Sequence, residues 1–241
     1  MLPCFMNWML LNNKIMREID FYKDIVIPTY VINLAERTDR LAHIRKQFEH
    51  KSEFELILVD ACKHETGTIG LWNSIIKVIK LAIANDDDVI IICEDDHEFT
   101  ENYSKEHLLR NIIEANEQGV NLLSGGIGGF KCAIPVTNSR CWIDSLWCTQ
   151  FIVIYKKFFQ NILEEPFSGK DTADGKFSEM TSNKMVLYPF ISVQRDFGYS
   201  DVTRINNEFS GQITRYFESA NNRLSSVMKT YEKYKSMPFN Q

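Results

Sequence analysis

The stretch VIIICEDDHEFT, residues 89–100, joins a run of five apolar residues to three consecutive carboxylates. An apolar run without polar alternation is typical of a strand that is covered on both faces, as in the parallel sheet of an α/β protein. Glu94, Asp95 and Asp96 follow where this strand should end, and no Lys or Arg occurs before Lys105. The sequence therefore predicts a buried central strand whose carboxyl end opens onto an acidic site.

Strands and helices alternate on the N-terminal side of this stretch. Apolar, β-branched strands are predicted at 24–34 and 54–60, and helices with apolar residues at helical spacing follow them at 36–50 and 68–85. This order is typical of right-handed βαβ units, which build a Rossmann-like, mostly parallel sheet flanked by helices. Ligands of such sheets bind outside the carboxyl ends of the strands, where this chain has the polar segments NLAER, VDACKH and CEDDH.

The C-terminal half is less regular. We expect three parts in the chain: an N-terminal extension at 1–20, a main domain at 21–205 and a helical tail at 206–241 packed on that domain. The segment 166–184 is rich in Gly, Ser, Thr and Asp and is predicted to be a mobile loop. The apolar start has no basic region and no small-residue cleavage site, so we interpret it as a docking segment or as sequence upstream of a start at Met16.

The composition argues against several classes of function. The chain of 241 residues has a net charge of −5 and scattered Lys and Arg residues, so the basic surface that nucleic-acid binding needs is not predicted. The six cysteines form no C-x-x-C pair and the five histidines no H-x-x-x-H pair, so neither a zinc site nor a redox motif is indicated. The main chemical signal is the acidic end of the strand.

Adjacent carboxylates at a strand end repel each other, which raises the pKa of one of them or demands a counter-ion. Hard oxygen ligands without supporting His or Cys favour Mg²⁺ or Mn²⁺, and such ions commonly bind substrate phosphates as well. His97 adjoins the carboxylates and is a candidate for contact with a phosphate or the metal. The alternative is a solvated acidic turn, as predicted for NDDD at 85–88.

The segment SGGIGG, residues 124–129, also has two interpretations. Its backbone N–H groups can cradle a phosphate, but the G-x-G-x-x-G order and a P-loop lysine are missing. Alternatively, the glycines let the backbone pass close to a ligand or to a neighbouring strand. We favour the second interpretation.

Taken in order, the motifs resemble those of glycosyltransferase family 25, the lipopolysaccharide and collagen galactosyltransferase type. The similar segments are VINLAERTDRLAHI at 31–44, LVDA at 58–61, GTIGLWNS at 67–74, VIIICEDDHEF at 89–99, CTQFIVIYKKFFQNIL at 148–163 and YPFISVQRDFGYSDV at 188–202. Three positions depart from the family pattern: Leu71 replaces a cysteine, Ile75 replaces a histidine, and Thr149-Gln150 replace a Gly-x pair.

The resemblance implies a GT-A type fold that binds a nucleotide-sugar, with Mn²⁺ or Mg²⁺ bridging the diphosphate. Asp95 and Asp96 are the implied metal ligands, and Glu94 is expected to orient backbone or ribose. Transfer in the family is inverting, so a carboxylate should act as general base on the acceptor hydroxyl. Asp174 is the first candidate for this base and Asp144 the second.

The same resemblance implies a set of donor-site residues. They are Asn33, Arg37, Arg40, Asp60, Gly70, Ser74, Glu94, Gln194, Ser200 and Asp201. Structural roles are the alternative at several of these positions: solvated side chains for the two arginines, a tight helix start for the glycine and Ser74, and a cap for Asp201.

The sequence thus predicts a metal-dependent inverting glycosyltransferase. It would move a hexose such as galactose from a UDP-hexose to a glycan or lipid-linked acceptor in cell-surface polysaccharide or lipopolysaccharide biosynthesis. The expected setting is the bacterial cytoplasm, with peripheral contact to the inner membrane. Two alternatives stay open: a non-catalytic nucleotide-sugar-binding scaffold that lost the family histidine at Ile75, and a nucleotidyltransferase, which normally has a Gly-rich loop with Arg or Lys near its first strand.

Overall fold

The strand predicted from the apolar run lies inside a large mixed sheet. The computed structural model describes residues 22–198 and 211–237, so the extension at 1–20 falls outside the described part of the chain. The strands are β1 Ile27–Asn33, β2 Phe54–Asp60, β3 Val89–Glu94, β4 His97–Phe99, β5 Leu122–Ser124, β6 Ala133–Thr137, β7 Arg140–Ile143, β8 Phe151–Tyr155, β9 Lys184–Leu187 and β10 Ser192–Gln194. The helices are α1 Thr38–Phe48, α2 Gly67–Ala84, α3 Lys105–Glu117, α4 Phe159–Glu164 after a 3₁₀ turn at Lys156–Phe158, α5 Ala173–Met180 and α6 Gln212–Lys235.

Eight strands form the sheet, in the order β2-β1-β3-β8-β5-β9-β7-β6, and β4 pairs with β10 in a separate two-stranded sheet. β1 is parallel to both β2 and β3, and β5 is parallel to β9. β8 runs antiparallel to β3 and β5, and β7 runs antiparallel to β9 and β6. Two reversed strands among eight leave six that share one direction, which confirms the predicted mostly parallel α/β fold.

Helices cover both faces of the sheet, because successive residues of a strand point to opposite sides. In β3, Ile90 and Ile92 belong to one hydrophobic core with α2, α4, α5 and α6, whereas Ile91 and Cys93 belong to a second core with α1 and α3. Residues 89–93 of β3 are therefore apolar without alternation, because both faces of the strand are covered.

The two longest helices pack on the first core. By length and composition, α2 would be apolar enough to cross a membrane. Its Trp72 and Ile75 are buried in the core, however, and so are Phe217 and Leu224 of α6. These apolar side chains form the face of α6 that packs on the first core.

The composition of segment 166–184 predicted a mobile loop, but the segment contains helix α5. Thr172 Oγ1 accepts a hydrogen bond from the Gly175 N–H and caps α5, and Ala173 and Phe177 are buried in the first core. A helix this short depends on tertiary packing rather than on its own propensity. The error arose because composition does not show which apolar side chains will find a core.

Candidate active site

A cavity of about 760 Å³ opens at the carboxyl ends of β1, β2 and β3, where the sequence predicted a ligand site. The first residues of α2, α5 and α6 and the loop after β2 complete its walls. Because β8 is antiparallel to β3, with Phe151 opposite Cys93, the residues just before β8 meet the carboxylates that follow Cys93. Glu94, Asp95 and Asp96 all lie on the cavity lining.

Arg40 supplies a positive charge that is missing from the sequence around the carboxylates. It is buried, and its Nη1 lies 3.0 Å from Asp95 Oδ1 and 3.4 Å from Asp96 Oδ2. The sequence suggested that only a bound cation balances these acids, but a guanidinium 55 residues from Asp95 balances part of their charge. Two carboxylates share this guanidinium, so its charge does not balance both of them when they are ionised.

Asp95 and Asp96 differ in how their oxygens are used. Asp95 Oδ1 pairs with Arg40, and Oδ2 accepts a hydrogen bond from Asn33 Nδ2 at 2.9 Å. Asp96 Oδ2 accepts from Gln194 Nε2 at 2.8 Å, whereas its buried Oδ1 has no hydrogen-bond partner among the described residues. The two predicted metal ligands thus differ in their contacts: both oxygens of Asp95 are hydrogen-bonded, whereas Asp96 Oδ1 has no partner among the described residues.

Glu94 lines the cavity together with Asp96. Thr149 Oγ1 donates a hydrogen bond to Glu94 Oε1 at 2.6 Å. Burial, and then the charges of Asp96 and Asp95, raises the pKa of Glu94 from its ordinary 4.5 to about 8. Burial and the charge of Asp95 likewise raise the pKa of Asp96 from 3.8 to about 6. Acids with raised pKa values inside a cavity are typical of a functional site.

These residues fit a divalent cation that takes some of its ligands from the protein and the others from a bound substrate and water. Within 22–198 and 211–237, no group of three His, Cys, Asp or Glu side chains forms a complete metal site. Mg²⁺ normally binds through one or two carboxylates together with substrate phosphates and water. Glu94 and the unpartnered Asp96 Oδ1 match this incomplete set.

Gly70 and Ser74 line the cavity and also hold its wall in place. Ser74 Oγ accepts a hydrogen bond from the Cys62 N–H at 2.8 Å and donates one to Gly70 O at 2.7 Å. A Cβ on Gly70 would lie 2.7 Å from Cys62 O, so only glycine lets α2 approach the loop after β2 this closely. These two residues therefore form the tight helix start that was the alternative to a donor-site role, and both also line the cavity.

The remaining predicted donor-site residues occupy different places. Arg37 lies on the cavity lining, whereas Asn33 is buried against Asp95 and acts through it. Asp60 is exposed and does not line the cavity. Ser200 and Asp201 lie outside the described residues.

The two candidate bases are separated by the fold. Asp174, in the first turn of α5, lines the cavity; its Oδ2 accepts a hydrogen bond from the Cys148 N–H at 3.1 Å and its Oδ1 accepts from the Gly175 N–H at 2.8 Å. Asp144 follows β7, and its Oδ1 accepts from the Cys132 N–H at 2.9 Å. Because it closes a turn away from the cavity lining, Asp144 is not placed to act on a ligand there.

His97 does not reach the cavity, which corrects the expectation of a phosphate or metal contact. Its ring is fully buried between Phe99 and Phe151, and its Nδ1 lies 2.8 Å from Ser192 Oγ. Burial lowers the pKa of His97 well below its ordinary value, so the ring is neutral near pH 7. The alternation of side chains along β4 turns it toward the second core.

The glycines of SGGIGG serve close packing, as favoured from the sequence. A Cβ on Gly125 would lie 2.8 Å from Phe151 Cδ1, and one on Gly126 would overlap Ser192 O. Bulkier residues would push β10 away from β5. A phosphate cradle is not needed to explain these positions.

Among the cavity residues that were missed from the sequence are Trp147, Cys148, Thr149 and Tyr216. Three of them directly precede β8, and a polar or aromatic segment before a strand has no distinctive spacing. Cys148 has a φ of 76°, a left-handed conformation that is rare for a residue with a side chain. Only the antiparallel pairing of β8 with β3 shows that these residues meet the carboxylates.

The raised pKa values give a pH prediction for the metal-free protein. The folded state holds a proton on Glu94 up to about pH 8, whereas the unfolded chain releases it near pH 4.5, so Glu94 makes folding less favourable as pH rises through this window. Urea unfolding in EDTA should therefore show that Glu94→Gln gains stability relative to the native protein between pH 5 and 8. Using the difference cancels the opposite contribution of buried His97. A difference that is constant with pH would contradict the raised pKa.

Comparisons with known proteins give distant structural likenesses only. No protein-family model and no curated protein matches the chain. Solved structures with a similar course of the chain include A197 from STIV, at 11% identity and a TM-score of 0.49 over 73% of this chain and 87% of that one. A second is a glycosyltransferase involved in the glycosylation of the major capsid of PBCV-1, at 11% identity and a TM-score of 0.39 over 57% of this chain and 63% of that one. A third is an apo UDP-glucose pyrophosphorylase, at 10% identity and a TM-score of 0.42 over 87% of this chain and 85% of that one. We therefore base the function on the residues of the cavity.

Proposed function

We propose that the chain is a nucleotide-sugar-dependent, inverting glycosyltransferase. One observation carries this proposal: Glu94, Asp96 and Asp174 line one cavity at the carboxyl ends of the parallel strands, and within 22–198 and 211–237 the buried Asp96 Oδ1 has no hydrogen-bond partner. Such a cavity suits a diphosphate with its cation on one side and a hydroxyl to be deprotonated on the other. The motif order, which resembles glycosyltransferase family 25, supports the same reaction.

The donor would occupy the side of the cavity at the ends of β1 and β2. Arg37 and Lys63 lie on this part of the lining; Lys63 Nζ is 2.8 Å from Glu36 Oε1, and a diphosphate would compete with this carboxylate for the ammonium group. Asp96 and Glu94 would hold Mg²⁺ or Mn²⁺, which when bound supplies positive charge to the departing nucleoside diphosphate. Gln194 and Thr149 are hydrogen-bonded to these two carboxylates and fix their orientation.

Asp174 would act as the general base. As the acceptor oxygen forms its bond to the anomeric carbon, the bond from that carbon to the diphosphate breaks and the acceptor proton moves to Asp174. The N–H groups of Cys148 and Gly175 hold the carboxylate in one orientation before the acceptor binds. Attack from the face opposite the leaving group inverts the anomeric configuration.

The finer assignments are part of the same proposal and rest on the resemblance. The donor is a UDP-hexose such as UDP-galactose, and the acceptor is a bacterial cell-surface glycan precursor, free or lipid-linked, reached from the cytoplasm. Residues 21–205 would form the transferase domain, and the tail at 206–241 would complete it, since Ile213 and Tyr216 of α6 line the cavity.

Two assays test the proposal. Thermal shift with UDP, GDP and CDP, each with and without Mn²⁺, should show metal-dependent stabilisation, and UDP release from a panel of UDP-hexoses should show turnover. Stabilisation without turnover for any donor and acceptor would favour the non-catalytic scaffold. The lack of any metal-dependent nucleotide effect would contradict both.

Replacing Asp174 with Asn should separate binding from catalysis. Loss of a general base typically costs a factor of about 10² to 10⁴ in rate, so transfer should fall by this range while UDP–Mn²⁺ stabilisation is unchanged. The matched control is Asp171→Asn, three residues earlier, whose Oδ2 accepts hydrogen bonds from Ser168 away from the cavity lining. Full activity of the Asp174 variant would show that another group takes the proton.

A further inference from the structure

Trp147 is a large aromatic side chain that lines the cavity and yet stays 49% exposed. Most of the large apolar side chains around it are buried in the two cores. A large aromatic side chain that served only to fill the core would be buried, so an exposed indole on a cavity wall indicates a binding surface. The ring is therefore available to a ligand.

The backbone and one glycine hold this ring in place. The Trp147 N–H donates a hydrogen bond to Gly129 O at 3.1 Å, and the Gly128 N–H donates one to Trp147 O at 2.9 Å. A Cβ on Gly129 would lie 2.5 Å from Trp147 Cε3, so the ring packs directly on the glycine backbone. Tyr216 meets the ring edge to face, with centroids 6.1 Å apart. A platform fixed in advance loses little conformational entropy when a ligand binds.

The platform is linked to the proposed base. Cys148, the next residue, donates its backbone N–H to Asp174 Oδ2 at 3.1 Å, and its left-handed φ of 76° belongs to this turn of the chain. Trp147 and Asp174 both line the cavity, and this hydrogen bond connects Asp174 to the residue that follows the indole. A ligand on the indole would be next to the group that accepts the proton.

The sheet order places this wall away from the donor side. β8 is the neighbour of β3 opposite to β1 and β2, and Trp147 comes just before β8. The acidic residues after β3 thus separate Arg37 and Lys63 from Trp147 and Asp174. A nucleoside bound at the ends of β1 and β2 leaves the indole for the second substrate.

We propose that Trp147 forms the acceptor subsite and stacks on the C–H face of a pyranose ring, one of whose hydroxyl groups then faces Asp174. The electron-rich face of an indole attracts the weakly positive C–H groups of such a ring. The polar neighbours Thr172 and Asp174 match the hydroxyl edge of a sugar better than an alkyl chain. This inference rests on the proposed function and adds the residue that recognises the acceptor sugar.

Indole ¹⁵N NMR of the full chain tests the subsite with simple probes. The indole signal of Trp147, assigned with Trp147→Phe, should move saturably on titration with methyl β-D-galactopyranoside or methyl β-D-glucopyranoside. The signals of Trp72 and Trp142 serve as internal controls. The Trp72 indole is stacked on Phe167, and the Trp142 indole, on β7, donates a hydrogen bond to Ser182 O. Trp147→Ala should weaken glycoside binding about tenfold, the scale of one aromatic stacking contact.

A second variant keeps the indole but moves it. Gly129→Ala places a methyl group under the ring, so glycoside binding should weaken as in Trp147→Ala while UDP–Mn²⁺ stabilisation is unchanged. Circular dichroism and the unfolding temperature establish that both variants fold. If either folded variant binds the glycosides as tightly as the native protein, the subsite is wrong.

The remaining outcomes separate this inference from the proposed function. Movement of the Trp147 signal with UDP alone would assign the platform to the nucleobase, and movement with 1-hexanol but not with glycosides would assign it to a lipid; either overturns the subsite. Glycoside binding at Trp147 in a protein without UDP–Mn²⁺ stabilisation would support a sugar subsite while contradicting the transferase. Normal UDP release without any effect of glycosides on the Trp147 signal would support the transferase and contradict the sugar subsite.

Discussion

Replacing Asp96 with Asn is expected to abolish transfer and the metal-dependent part of UDP binding. The substitution removes the charge of Asp96, whose buried Oδ1 has no hydrogen-bond partner in the described part of the chain. A bound metal supplies several kcal/mol of transition-state stabilisation, so kcat/KM should fall by at least about a thousandfold. The metal-free protein should be as stable as the native protein or more so, because one negative charge beside Asp95 and Glu94 is lost. Steady-state kinetics and thermal shift with UDP and Mn²⁺ measure both effects.

The matched control makes the same chemical change in an exposed turn. Asp86 has a side chain that is 89% exposed and pairs with Lys156, and its positive φ of 59° is well tolerated by asparagine. Asp86→Asn should keep full activity and the full metal effect. If Asp96→Asn retains the metal-dependent stabilisation of UDP, the cation is held elsewhere and the proposed site is wrong.

Replacing Arg40 with Met should produce the largest loss of stability of any single substitution at the site. Arg40 is 4% exposed and its Nη1 contacts both Asp95 and Asp96. Removing one partner of a buried ion pair leaves the other charge uncompensated, which typically costs about 3–5 kcal/mol. Urea unfolding of the metal-free protein near pH 8, where both carboxylates must ionise, should show this loss.

Two further variants show whether charge is the cause. Arg45→Met, an exposed position on the same helix, should change the unfolding free energy by less than about 0.5 kcal/mol. Asp95→Asn in the Arg40→Met background should recover part of the loss, because it removes the buried charge that lost its partner. An additive second loss in the double variant would instead point to packing of the arginine stem.

Long apolar patterns were predictable because they report burial directly. β3 is covered on both faces and so is apolar from 89 to 93, and α2 repeats its apolar residues because one stripe meets the core. The acidic end of β3 could be placed at a ligand site because the carboxyl ends of parallel strands open onto a crevice. The short helix α5 was missed because its formation depends on the burial of Phe177.

The roles of the site residues depended on contacts between distant parts of the chain. Arg40 and Asp95 are 55 residues apart, and Asn33 and Asp95 are 62 apart, so no local pattern shows that Asp95 is already paired. For the same reason Asp144 remained a second candidate in sequence, although of the two only Asp174 lines the cavity.

The sequence by itself determined that the chain folds as an α/β protein with an acidic site after its third strand, because strand and helix periodicities and the order of elements are local properties. The tertiary structure decided which acids are open. It paired Asp95 with Arg40, left Asp96 Oδ1 without a partner among the described residues, and turned His97 into the core. It also brought Trp147 to the same cavity by reversing β8 against β3. Charge compensation and antiparallel pairing act through space, and so they are set only when the chain has folded.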